Sequence, residues 1–105
     1  MKKVSHGRIK PKLKKYPAFL SWLHDQPCIV TGSTGQVIAH HLTSLGHGRI
    51  TRNDRYAVPL IEQLHAVGNK GAVHEIGHAR FEIEHGVDLV AEAERLWNEF
   101  TQMED

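Results

Sequence analysis

A chain of 105 residues with 13 basic and 12 acidic side chains, a net charge of +1, provides enough sequence for one domain. It contains no run of about eighteen apolar residues to span a bilayer, and the opening segment MKKVSHGRIKPKLKKYP lacks the apolar stretch of a secretory signal. We therefore expect a soluble, cytoplasmic protein with no membrane partner; the lone Cys28, which has no partner for an internal disulfide, agrees with a reducing compartment.

Residues 1–15 hold Lys2, Lys3, Arg8, Lys10, Lys12, Lys14 and Lys15 before any acid appears, and from Glu82 onward the chain is strongly acidic. With Val4, Ile9 and Leu13 as its only large aliphatics, the basic stretch reads as an arm that is mobile alone and orders on phosphates, leaving 16–105 as a single domain. A lysine-rich end that only keeps a small protein in solution is the plainer alternative.

Pro17 can open a short helix with Phe19, Leu20, Trp22 and Leu23 as its apolar face, closed by Pro27. Cys28-Ile29-Val30 is expected to be extended, Gly32 to Gly35 to turn, and Gln36 to Leu42 to form a second extended run. A glycine-containing loop, Ser44 to Asn53, leads to a short strand at Tyr56-Ala57-Val58, after which Pro59 suits the first turn of a helix carrying Leu60, Leu64 and His65. Gly68 and Gly71 interrupt that helix. A further helical stretch runs from about Val73 to His85, and Gly86 stands where a left-handed cap is common. In the last helix Asp88 is the cap, and Leu89, Ala93, Leu96, Trp97, Phe100 and Met103 recur in steps of three and four as one apolar stripe, for the core or for a partner.

Nine histidines are many for a chain this short, and their spacing decides what they mean. His40 and His41 end an extended run, where neighbouring side chains point to opposite sides, so one can face a metal and the other water. His65 lies seven residues after Val58, and the connection through Gly68 and Gly71 can turn His74 back toward it. Three neutral imidazoles, or two with a carboxylate such as Asp54, make an open site for a divalent ion. His6, His24, His47, His78 and His85 lack this context and are expected at the surface, with His47 a candidate for phosphate.

The segments Cys28-Ile29-Val30, Ile38-Ala39-His40-His41-Leu42, Asn53-Asp54-Arg55-Tyr56-Ala57-Val58-Pro59-Leu60, His65 and His74-Glu75-Ile76-Gly77-His78-Ala79-Arg80-Phe81-Glu82, followed by Gly86, taken in order over more than half of the chain, resemble the Ref family of RecA-dependent nucleases from bacteriophages and prophages, within the HNH or ββα-metal superfamily. The resemblance implies an α+β fold with an HNH/ββα-metal, treble-clef-like core, short flanking helices and a C-terminal amphipathic helix. It further implies a DNA endonuclease of a bacterium or phage-infected host, acting in recombination and dependent on a RecA-type recombinase filament. His41 would be the general base, Asp54 would orient His41 or brace its loop, and His40, His65 and His74 would hold one divalent ion, magnesium or manganese for activity, with zinc an alternative in the isolated protein. Lys10, Lys12, Lys14, Lys15, Arg49, Arg52 and Arg55 would hold the DNA backbone, contacts that carry little sequence information.

Related proteins often carry a structural zinc on a C-x-x-C and a C-x-x-H; the corresponding residues here are Cys28, Thr31, Ile61 and Leu64. One thiolate cannot close a tetrahedral shell, so Ile61 and Leu64 are expected to pack as apolar residues and Cys28 as a small buried hydrophobe. His78 stands where the family often has arginine, which puts a phosphate contact there in doubt. The competing classes are a DNA-binding or recombination-accessory module with a structural metal, and a metal-storage or sensing protein, which would leave the basic arm unexplained.

Overall fold

The computed structural model describes residues 14–42, 44–46, 49–50, 53–66, 69 and 71–103. They form a small α+β fold: helix α1 (Pro17–Leu23), strands β1 (Val37–His41), β2 (Ser44–Gly46), β3 (Arg49–Ile50) and β4 (Ala57–Ile61), a 3-10 turn (Glu62–Leu64), then helices α2 (Val73–Ile76), α3 (His78–His85) and α4 (Leu89–Met103). Strands β1 and β4 pair antiparallel, with Val37 opposite Ile61 and His40 opposite Val58; β2 and β3 form a second, small antiparallel pair where the sequence suggested only loop.

The β1–β4 ribbon is covered on both sides, which is why β4 is buried almost throughout rather than on alternate residues. Val58 and Leu60 join Leu42, Val73, Phe81, Leu89 and Ala93 in one cluster. Ala57, with Ala39 beside it, joins Phe19, Leu23 and Leu96 in the other, where Phe19 meets the rings of Trp97 and Phe100 at 5.1 and 5.3 Å. Two thin clusters, one on each face, take the place of a single thick core.

Pro59 lies inside β4 and does not start a helix. Its carbonyl accepts the Ile29 N–H at 3.1 Å. That side of the backbone therefore faces away from β1, and the N–H that proline lacks takes nothing from the ladder. Burial of Leu60 then favours continuing the strand to Ile61. Cys28-Ile29-Val30 is not extended either: Gly32 N–H donates to the Cys28 carbonyl and Cys28 N–H to the Ser33 carbonyl, closing a tight turn that Gly32 permits at φ +75°.

The stretch from Val73 to His85 is broken at Gly77 (φ 86°, ψ 162°) into α2 and α3, and Gly86 is the expected left-handed cap (φ 66°, ψ 36°). At the start of α4 the Asp88 carboxylate accepts the Ala91 N–H at 3.0 Å, and Glu82, reaching from α3, accepts the Leu89 N–H at 2.8 Å. Leu89, Ala93 and Leu96 are buried along the apolar stripe, which leaves the core at Met103, 66% exposed. Among the described residues no helix is long and apolar enough to cross a membrane.

Candidate metal centre and the His41–Asp54 pair

Strand alternation places His40 and His41 in different surroundings. His40 points to the face that carries Val58 and Leu60 and is 2% exposed, whereas the His41 side chain is 45% exposed. Around His40 gather three more imidazoles, with ring centroids 5.0 Å away for His65, 5.0 Å for His74 and 5.1 Å for His78. One candidate ligand nitrogen from each of His40, His65 and His74 lies within 4.8 Å of the others. The shortest approaches are between Nε2 atoms, 3.1 Å for His65 and His74 and 2.9 Å for His40 and His78.

Local structure explains the gathering. His65 follows the 3-10 turn, and the connection returns so tightly, with Gly71 at φ +78°, that the His74 N–H donates to the His65 carbonyl at 3.3 Å. His85 donates to the Gly71 carbonyl at 3.0 Å and rests on the Phe81 ring, bracing the same turn. His85 is therefore a half-buried structural group, not a free surface side chain. His24, exposed, donates from Nδ1 to the Val37 carbonyl at 2.9 Å.

His78 is the larger correction. Expected at the surface, it is half-buried against His40. The signal that could have found it is the spacing His74-x-x-x-His78, which on helical backbone puts two side chains on one face; Gly77 between them disguised it.

The environment favours uncharged rings with lone pairs to offer. Burial, reinforced by the neighbouring His78, His65, His74 and His41, pushes His40 down to about 3. His65 is also lowered, first by burial and then by His74, partly countered by Glu62. His78 is lowered by burial, with Glu82 opposing and His74 adding. Imidazoles within reach of one another, with His40, His65 and His78 pushed toward the neutral form, are a donor set suited to a divalent transition ion.

On the other side of the ribbon's end, His41 Nε2 and Asp54 Oδ1 are 2.9 Å apart. An ionised carboxylate only accepts, so Nε2 carries the hydrogen and the free lone pair of a neutral His41 lies on Nδ1. Asp54 thus joins the end of β1 to the segment before α1, since its Oδ2 accepts the Tyr16 N–H at 2.9 Å.

Of the seven basic residues expected to hold DNA, Lys14 and Lys15 are exposed and lead into α1. Arg55 lies half-buried with its guanidinium carbon 5.1 Å from the Tyr56 ring centroid and 5.4 Å from that of Trp97. Its Nε is buried without a hydrogen-bond partner. Lys10, Lys12 and Arg52, like His6 and His47, lie outside the described residues, as does the Arg49 side chain.

At the turn that follows α1, Cys28 is 2% exposed, in the cluster against which Ile61 and Leu64 pack. Burial pushes its thiol up, but the Thr31 side chain and the backbone of Thr31, Ile61 and Val30 outweigh burial through hydrogen bonds and hold it below its ordinary value.

Fold and site together define a small α+β protein with a histidine centre beside a histidine–aspartate pair. The chain belongs to the family described as "Protein of unknown function (DUF968)", whose model matches residues 6–100. No curated protein and no solved structure matches it.

Proposed function

We propose that this protein is a metal-dependent DNA endonuclease of the HNH type that hydrolyses phosphodiester bonds. The observation that carries the reading is the pairing of two adjacent residues with two tasks. His40 sits in a cluster of imidazoles, and His41, one peptide unit on, is held by Asp54 through Nε2, its other ring nitrogen bonded to none of the described residues. The element order β1, β4 and then the helices bearing His74 and His78 agrees with a ββα-metal core.

In the reaction, His41 Nδ1 takes a proton from the attacking water, and Asp54 keeps the ring in the required tautomer and stabilises the imidazolium that results. His40, His65 and His74 would hold the ion, whose chemistry is to polarise the scissile phosphate and stabilise the leaving 3′-oxygen. The exposed Lys14 and Lys15 hold the backbone, and with phosphate contacts dominant the expected cleavage has weak sequence preference. An all-imidazole donor set suits zinc better than magnesium or manganese, which prefer oxygen ligands.

His78 favours a second reading. Four imidazoles could fill a tetrahedral shell and leave no place for water or phosphate, as in a structural zinc site of a DNA-binding or recombination-accessory module. Plasmid nicking separates the two. Purified protein with manganese, magnesium or zinc, alone and with RecA-type recombinase filaments, should nick supercoiled DNA, and His41→Ala should abolish nicking while DNA binding and the melting temperature stay within error. If no combination of ion and filament yields nicks, the accessory reading replaces the enzyme.

A further inference from the structure

We propose that the main-chain amide of Tyr16 is a positioning group for the His41–Asp54 pair, so that residues 14–16 build the end of the basic arm into the hydrolytic site. The inference rests on the reading of His41 as proton acceptor.

Asp54 is bound on both of its oxygens: Oδ1 to His41 Nε2 and Oδ2 to the Tyr16 N–H, each at 2.9 Å. Its own N–H donates to the Lys14 carbonyl at 3.0 Å, and Lys14 and Asn53 form a parallel bridge. The carboxylate, 14% exposed, therefore has its plane set by one partner from β1 and one from the segment that precedes α1. Removing the second partner leaves the carboxylate free to rotate about its bond to Cβ while still touching His41, so the imidazole loses its fixed direction before it loses its hydrogen bond.

Tyr16 is well placed to act as the fixed point. Its carbonyl accepts the N–H groups of Phe19 and Leu20 at 3.0 and 3.2 Å, tying it to the first turn of α1, and its ring meets Trp97 of α4 edge-on at 4.8 Å. A main-chain donor anchored in this way has no rotamers to lose, and a hydrogen bond to a charged acceptor is stronger than one between neutral groups. Lys14 and Lys15, exposed on the same three residues, grip a phosphate within two residues of that amide. A strand of nucleic acid held by them is held at the proton acceptor.

The amide can be deleted without touching a side chain by placing the α-hydroxy analogue of tyrosine at position 16 of the full chain, which turns the N–H into an ester oxygen. The same exchange at Ala18, whose N–H makes no hydrogen bond among the described residues, is the control. With manganese and plasmid DNA the Tyr16 ester should lose about tenfold in kcat with KM within twofold. The nitrogen-15 resonances of the His41 ring should move from a single Nε2–H tautomer toward a mixture, and Tyr16→Ala, which keeps the amide, should leave those resonances in place. Unchanged kcat and unchanged ring resonances in the Tyr16 ester overturn the proposal. So does an equal loss in the Ala18 ester, or a tautomer mixture in Tyr16→Ala, which would assign the role to the ring. If the unaltered protein nicks no DNA, the nuclease reading falls, and the His41 resonances still decide whether Tyr16 positions the pair.

Discussion

Zinc added to the metal-free protein should raise its melting temperature by about 10 to 20 °C, and the size of that shift can be worked from the spacing of the site. Zinc holds imidazole nitrogens at about 2.0 to 2.1 Å, which sets neighbouring donors about 3.4 Å apart in a tetrahedral shell. His65 and His74 already stand at 3.1 Å, and all three nitrogens of the His40, His65 and His74 set lie within 4.8 Å, so closing on the ion takes little more than an ångström of side-chain movement. His40 and His65 are held below their ordinary pKa, which favours the neutral ligand form and lessens the protons released on binding. At free zinc one hundredfold above the dissociation constant, binding to the folded state adds about 2.7 kcal/mol. In a domain of this size each kcal/mol moves the midpoint by about 4 to 8 °C. Calorimetric scans of chelator-treated protein with and without zinc give the shift, and elemental analysis gives the stoichiometry, expected at one ion per chain. An unchanged midpoint, or a shift that survives both His40→Ala and His65→Ala, would refute the assignment of the ligands.

Metal-free protein should lose stability in acid between pH 6.5 and about 3: unfolded His40 takes up a proton near 6.5, the folded residue only near 3, so the unfolded state binds more protons in that window and stability falls as pH falls. By pH 5 this one group costs about 2 kcal/mol, with no effect above pH 7; urea melts at pH 7 and 5 should show the loss, and His40→Gln should remove it. Phe81→Ala should cost about 3 to 5 kcal/mol, because Phe81 is fully buried between α3 and the β4 residues Val58 and Leu60; a cost under 1 kcal/mol in the same urea assay would mean that this cluster is not packed as described.

What could be read from the sequence was local. The stripe from Leu89 to Phe100, the Asp88 cap, the Pro17 start and the Gly86 stop each depend on residues within a turn or two of one another, and each stands in the structure. Pro59 misled because a proline's place in a strand depends on which way its missing N–H faces, and Ile29, thirty residues away, decides that. Gly77 hid a helix break inside a stretch with helical periodicity, and the turn at Cys28 depends on a positive φ at Gly32 that composition alone does not announce. The same division runs through the site. His40, His41, His65 and His74 could be proposed from chain order, whereas His78 meets His40 across 38 residues, and the bond from Tyr16 to Asp54 likewise spans 38.

The arrangement of two clusters around a two-stranded ribbon also bears on how such a site can exist in so short a chain. A strand buried on one face would give His40 and His41 one dry side and one wet side, with nothing to organise the wet one. Here the cluster of Phe81, Leu89 and Val58 packs the His40 face, and the cluster of Phe19, Leu96 and Ala57, with Tyr16 and Trp97 at its margin, carries the segment that binds Asp54. Each half of the site is thus supported by its own apolar cluster, and the two halves meet across the single peptide unit between His40 and His41. Helix α4 contributes to both, Leu89 and Ala93 to the first and Leu96 to the second. A substitution that shifts this helix should therefore disturb the imidazole centre and the His41–Asp54 pair together, although α4 supplies no polar group to either.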